Sequence, residues 1–275
     1  MKNLDKKVIE DFGDEWKEYN QSSLNEEELE NLFNNYFNIF PFYLIDKNSE
    51  GFDMGCGSGR WAKLFAPKVK ILNCIEPSEK AIEEAKKNLR SLKNCNFLNS
   101  NVFDNDLEAN SQDFGYCLGV LHHIENTESG LVHCVKKLKK NAPFLLYLYY
   151  KFDNKPLLFV IIWKISNFLR NMISKLPFKF KIYITKIIAF LVYFPLARLS
   201  LFLEIIGINI NNIPLSYYRR SSLYTMKTDS LDRFGTRLEQ RFTKNEIYKM
   251  MKVSGLINIK FSEKSPYWVA VGIKK

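Results

Sequence analysis

Glycine is scarce in this chain, with 12 in 275 residues, and its five cysteines (Cys56, Cys74, Cys95, Cys117 and Cys134) form no Cys-x-x-Cys pair. An odd cysteine count at such spacings argues against a disulfide framework and a zinc site, so all five read as reduced and no metal is expected. The hydrophobic middle of the chain lacks eighteen uncharged apolar residues in a row. Its longest apolar run, Ile187 to Ala197, contains Pro195, which argues against a spanning helix. The first twenty residues hold too many charges for a secretory signal, so the protein is expected to stay in the cytoplasm. Neither an internal repeat nor a low-complexity tract is present.

What the chain does have is charge in one place. The formal net charge is +10, and residues 151–220 carry eleven Lys or Arg against Asp153 and Glu204. Nearly all of the basic character therefore belongs to one segment.

Strand-like and helix-like stretches alternate from residue 50 onward. "EGFDMG", "KILNCIE", "NCNFLNS", "DFGYCLGV" and "APFLLYLYY" read as five strands, with "RWAKLFAPKV", "SEKAIEEAKKNLRSL" and "ESGLVHCVKKLKK" as helices among them. That alternation predicts βαβ units and a mostly parallel sheet. The rhythm stops after Tyr150 and returns with the helix "TKNEIYKMMKVSGL", which carries the capping box Thr243 and Glu246, and the strands "INIKFSE" and "YWVAVGIKK". The expected fold is α/β, a doubly wound, mostly parallel seven-stranded sheet with a helical insertion after the fifth strand. Boundaries follow: a helical cap over 1–47 with Ser23 as a helix cap, a core over 48–151 and 241–275, and an insertion over 152–240.

Four of the glycines (Gly51, Gly55, Gly57 and Gly59) fall within nine positions, so the backbone there turns tightly or is closely approached. In a doubly wound sheet such a turn after the first strand borders a ligand, and an acid about twenty residues on, here Glu76, accepts hydrogen bonds from ribose hydroxyls. The stretch is Asp-x-Gly-Cys-Gly-x-Gly, and Asp53 disfavours a pyrophosphate while suiting a ligand with an amino group. No Gly-Lys-Ser/Thr follows, which excludes a P-loop.

On "DMGCGSG", "IEPS" and "LGVLHHI" the chain resembles the class I S-adenosylmethionine-dependent methyltransferases. The resemblance implies a Rossmann-like methyltransferase fold, S-adenosylmethionine as cofactor, and cofactor contacts at Asp53, Gly55, Cys56, Gly57, Gly59, Glu76, Asn101 and Leu118. Asn101 stands where the family commonly has an acid after the third strand, and its amide carbonyl is expected to accept the adenine amino hydrogen bond instead. Methyl transfer needs a base only when the acceptor must lose a proton. His123 and His122, directly after the fourth strand, are the candidates for that base, or are structural. Trp16 and Tyr19 are candidates for a lid.

Before the core resumes, "YYRRSSLYTMKTDSLDRFGTRLEQRF" offers Tyr217, Arg219, Asp229, Arg233 and Arg237 for a polar acceptor, or else for ion pairs that pin the insertion. "KPLLFVIIWKISNFLRNMISKL" places its polar residues at 164, 167, 170–171 and 174–175, on one helix face. The next stretch is apolar almost all round, with a narrow line through Lys186, Tyr193, Arg198 and Ser200. Three readings stay open for this insertion. They are an anionic membrane surface at the inner face of a membrane, a lid or homodimer interface, and a nucleic-acid surface, the last supported by charge alone. The acceptor is expected to be a small or lipid-linked molecule. A cofactor-binding subunit without turnover is the alternative from another class.

Overall fold

The computed structural model describes residues 5–275. Its sheet is built from β1 (Glu50–Met54), β2 (Ile71–Ile75), β3 (Cys95–Leu98), β4 (Phe114–Leu118), β5 (Pro143–Tyr147), β6 (Leu256–Phe261) and β7 (Val269–Lys274). The strand order is β3-β2-β1-β4-β5-β7-β6, with β7 antiparallel to both β5 and β6 and the pairs from β3 to β5 parallel. The order in which successive strands are added switches sides between β1 and β4, the place where an open α/β sheet offers a crevice.

Interlocking of β1 and β4 explains two glycines. Gly51 pairs with Phe114 and Phe52 with Gly115. A Cβ on Gly51 would lie 2.5 Å from the Phe114 ring, and one on Gly115 would lie 2.4 Å from the Phe52 ring. Each phenylalanine thus lies over the other strand's glycine, and both rings are fully buried. Gly51 therefore belongs to the core packing and not to the ligand loop.

Among the described residues six α-helices accompany the sheet outside the insertion: α1 (Lys6–Glu18), α2 (Glu26–Phe37), the short α3 (Ala62–Phe65), α4 (Glu79–Asn88), α5 (Thr127–Lys137) and, beyond the insertion, α10 (Lys244–Val253). The capping box of Thr243 and Glu246 opens α10 as expected. At α2 the expectation fails: the helix starts at Glu26, and Asn25 rather than Ser23 accepts from a first-turn amide, that of Glu27. Asn ranks at least as high as Ser at this position, so sequence alone did not separate the two.

By its contacts the chain divides into two units. One comprises residues up to Ser22, Leu29–Lys151 and Leu238–Lys275; the other comprises Ser23–Glu28 and Phe152–Arg237. The second contains α6 (Leu157–Ile173), α7 (Phe178–Ile188), α8 (Phe194–Ile205) and α9 (Leu223–Gly235). Helices α7 and α8 are joined by a π-helical turn, Ala189–Tyr193, into one helix over Phe178–Ile205. Pro195 lacks an amide hydrogen and normally interrupts a helix. Here the wider turn comes just before it and Pro195 falls in the first turn of α8, so the chain continues. The result is a 28-residue helix long and apolar enough to cross a membrane by length and composition, contrary to the expectation from run length.

On these helices several polar residues turn inward and many large apolar ones outward. On Phe178–Ile205 the buried residues are Lys181, Thr185, Ala189, Tyr193, Ala197 and Ser200, whereas Phe180, Tyr183, Phe190, Leu191 and Phe202 are exposed. On α6, Arg170 and Ser174 are buried while Leu157, Leu158, Ile165 and Phe168 face outward. While Lys164, Asn171 and Lys175 stay exposed, part of the polar line in the sequence, Arg170, Ser174, Tyr193 and Ser200, thus turns inward. It is satisfied there: Arg170 donates to the carbonyls of Thr236 (2.8 Å) and Arg237 (3.2 Å), and the Ser230 hydroxyl donates to the Thr185 carbonyl (3.0 Å). Buried polar groups need partners; the Thr185 and Ser200 hydroxyls find theirs four residues back, on the carbonyls of Lys181 and Leu196.

Candidate functional site

In the core unit an open cleft lies at the C-terminal ends of β1, β2 and β4. Met54, Gly55, Cys56, Ile75, Glu76, Leu118 and Val120 form its sheet side, Asn101 and Val102 one end, and His123 the other. The remaining wall is α1, through Val8, Ile9, Phe12 and Trp16. Positions 8, 12 and 16 recur every four residues, which aligns them on one helix face. That stripe was the sequence signal for this wall, of which only Trp16 was anticipated; Tyr19 is buried but does not line the cleft.

The glycine loop is shaped by contacts with the protein. The amides of Gly55 and Cys56 both donate to the Ile75 carbonyl (2.8 and 3.0 Å), and the amide of Gly57 donates to Glu76 Oε2 (3.0 Å). Gly57 has φ +53°, and a Cβ on it would sit 2.8 Å from the Trp16 ring. Glycine is therefore required there by both backbone and neighbour. With these three amides already donating, the loop is no phosphate cradle, in agreement with the absence of a P-loop lysine.

Glu76 is buried at the end of β2. Its Oε1 accepts from the Ser78 amide (3.0 Å), so both oxygens touch backbone donors. Burial pushes its pKa up to about 7 against the opposing pull of those two amides. Asp53 is buried behind the cleft wall and does not line it; its Oδ2 has no hydrogen-bond partner. Burial holds its carboxyl well above the usual range. Gly57 and Gly59 are likewise not on the cleft surface. A Cβ on Gly59 would meet the Leu89 side chain at 2.8 Å.

Asn101 lines the cleft, but its carbonyl oxygen already accepts from the amides of Phe103 (2.8 Å) and Asp104 (3.1 Å). Both lone pairs are thereby engaged, which corrects the expectation that this oxygen would serve adenine. Two cleft residues escaped the sequence reading. Arg60 stacks on Trp61 (4.3 Å to the ring centre), and its Nε is buried without a partner; the hydroxyl of Ser100 is also buried without a partner. Unsatisfied buried polar atoms facing a cleft mark a place where a ligand supplies the missing bonds. The arginine after the last loop glycine was visible in "GSGRWA", yet nothing in that string distinguishes a ligand contact from a surface charge.

The two histidines separate sharply. His123 lines the cleft, packs on Phe12 of α1 (4.8 Å between ring centres), and its Nδ1 lies 2.7 Å from the Leu238 carbonyl. A carbonyl only accepts, so Nδ1 carries the proton and Nε2 keeps the lone pair. His122 is fully buried, off the cleft, and stacked on Tyr149 at 3.8 Å. Burial, with His123 and Arg241 nearby, holds its pKa well below the usual histidine value. His122 is thus a neutral packing residue in this structure, which corrects its candidacy as the base.

Among the candidates for acceptor binding, all five lie in the insertion unit and none lines this cleft. Arg219 pairs with Glu204 at 2.9 Å, Asp229 stands beside the Tyr218 hydroxyl, Arg233 donates to Ser166 at 3.2 Å, and the Arg237 carbonyl receives Arg170. Tyr217 packs edge-on against Tyr218. These contacts are internal to the unit, whereas the ion-pair alternative has them pinning the insertion to the core.

Comparison with known proteins agrees with this geometry. Residues 52–146 match the family described as a methyltransferase domain. The fold is similar to that of an S-adenosylmethionine-dependent methyltransferase from Thermotoga maritima, at 14% identity, covering 98% of this chain and 100% of that one with a TM-score of 0.52. It is also similar to phosphoethanolamine N-methyltransferase 2 of Haemonchus contortus, solved with phosphomonomethylethanolamine and S-adenosylhomocysteine. That match has 14% identity, covers 94% of this chain and 44% of that one, and has a TM-score of 0.51. At such identities the likeness establishes the shared fold. No curated protein matches the chain in sequence.

Proposed function

We propose that this chain, a class I S-adenosylmethionine-dependent methyltransferase, methylates a small or lipid-linked acceptor met at the surface of a membrane. When bound, S-adenosylmethionine supplies a methyl group on an electrophilic sulfonium. The residues present suit it. Glu76 offers carboxylate oxygens for the ribose hydroxyls, and Met54, Ile75, Val102 and Leu118 give an apolar wall for the adenine. Arg60 and Ser100 supply the polar partners that a charged amino-acid end would complete, and Asp53 stands behind with an unsatisfied oxygen.

His123 takes the acceptor's proton on Nε2, the nitrogen left basic by the Leu238 hydrogen bond. Placement in line with the methyl carbon does most of the remaining work, and the apolar cleft keeps water from competing.

One observation carries the membrane half of the reading. Among the described residues, twenty of the twenty-six large apolar side chains that face outward lie between Leu157 and Ile208. Soluble monomers rarely expose apolar patches beyond a few hundred Å². The exposed lysines Lys164, Lys175 and Lys179 share the segment, and cations beside an apolar face are what an interfacial helix presents to anionic lipid. The test is methyl transfer from methyl-labelled S-adenosylmethionine in the presence of vesicles of bacterial total lipid. Label recovered in the organic phase supports the reading. Label transferred only when a water-soluble metabolite extract replaces the vesicles would move the acceptor into solution.

A further inference from the structure

The segment where the chain re-enters the core, Leu238–Phe242, is bonded to both loops that border His123. The Leu238 carbonyl holds His123 Nδ1 at 2.7 Å. Two residues on, the Gln240 amide donates to the His122 carbonyl (3.0 Å), and its side-chain Nε2 donates to the carbonyls of Ile124 and Glu125. The Phe242 amide donates to the Tyr149 carbonyl (2.8 Å), and the Lys151 amide returns to the Phe242 carbonyl (3.0 Å).

Side chains follow the same path. Arg241 lies over the Tyr149 ring (5.1 Å to its centre), Tyr149 stacks on His122 (3.8 Å), and His122 packs on His123 (4.0 Å). A continuous stack thus runs from the re-entry segment to the cleft-lining imidazole.

We propose that Leu238–Phe242 positions His123, and that Gln240 is the residue that pins it. An imidazole ring has two tautomers, and the one adopted is set by the partner of its other nitrogen. Here that partner is a main-chain carbonyl, which no side-chain substitution at Leu238 removes. Its location therefore depends on what holds the segment in place, and Gln240 anchors it to residues 122, 124 and 125 on both sides of His123. The proposal rests on His123 as the proton acceptor, and it adds a residue that touches neither cofactor nor acceptor.

The test is ring nitrogen NMR of selectively labelled histidine in the full-length protein. In the unaltered protein His123 is expected as the Nδ1–H tautomer; an Nε2–H tautomer there overturns the proposal whether or not any variant folds. In Gln240→Ala, the Nδ1–H population is expected to fall roughly five- to tenfold relative to the other tautomer, the effect of weakening about one buried hydrogen bond. S-adenosylmethionine affinity is expected to stay unchanged, with Gln240→Asn intermediate. An unchanged tautomer in a folded Gln240→Ala also overturns it. His123→Gln separates this from the parent reading: if that variant keeps full methyl transfer to total-lipid vesicles, His123 is no base, while the tautomer result still stands or falls by itself.

Discussion

In the core unit, Phe52, Phe65, Phe114, Tyr116 and Phe144 are wholly removed from water. Along the Phe178–Ile205 helix of the insertion unit, the residues so removed are Thr185, Ala189, Ala197 and Ser200, with Lys181 almost as deep. Large apolar side chains are a core's main source of stability, at roughly 1.5–3 kcal/mol each when fully buried. The core follows that rule and the insertion inverts it, holding itself together through hydrogen bonds and a small cluster of Ile173, Tyr193, Met226 and Phe234. A unit folded this way leaves its large apolar side chains on its surface. The core buries its phenylalanines within itself, whereas the insertion leaves Phe168, Phe180, Phe190 and Phe202 exposed.

The largest effect that would break this contrast is expected from replacing exposed apolar residues in the insertion. Phe180→Ser, Leu191→Ser and Phe202→Ser together remove roughly 5 kcal/mol of transferable apolar surface, more than about a thousandfold in vesicle partitioning. Cofactor affinity, a property of the core, is expected to stay unchanged. Isothermal titration beside a sedimentation assay checks both. Loss of fold instead would mean these side chains support the unit from within.

Next in size is the charge. Lys164→Gln, Lys175→Gln and Lys179→Gln together are expected to erase about 100-fold of the preference for anionic over neutral vesicles, at about 1 kcal/mol per lysine near the surface. The same sedimentation at two lipid compositions measures it. Turning to the core, Glu76→Ala is expected to weaken S-adenosylmethionine binding about 10- to 100-fold through the loss of charge-assisted hydrogen bonds, leaving vesicle binding as it was.

The smallest expected effect is on pH dependence, and it has opposite signs in the two units. Glu76 has its folded pKa raised from 4.5 to about 7 by burial, so the stability it contributes is complete below about pH 4.5 and is lost as pH rises towards 7. Glu204 in the insertion has its pKa lowered by hydrogen bonds from Arg219 and Arg220, so its contribution is present above the ordinary glutamate range and lost as acid protonates it. Hydrogen exchange resolved by segment, across pH 4 to 8, is expected to show protection in the core falling and protection in the insertion rising. Parallel changes would mean that the two carboxylates do not govern the units separately.

Much of the core could be read from sequence because its periodicities are local. Strands such as "FGYCL" are apolar on both faces, and the Thr243 and Glu246 box marks its own helix. The insertion was harder for a physical reason: alternating polar and apolar faces give the period of a helix but not which face turns inward. Arg170 reaches the carbonyls of Thr236 and Arg237, residues far along the chain, and that knowledge is tertiary. Pro195 misled because the π-helical turn before it is not written in any local motif. In the site, adjacent His122 and His123 look equivalent in sequence, yet only His123 reaches the cleft.

The most direct test of the central claim is flotation of the unaltered full-length protein with vesicles of neutral lipid and of neutral lipid mixed with anionic lipid. The account predicts that it rises with the anionic vesicles and much less with the neutral ones. Protein that stays at the bottom with both, and runs at twice its monomer mass, would contradict it and show that a second copy covers the apolar face.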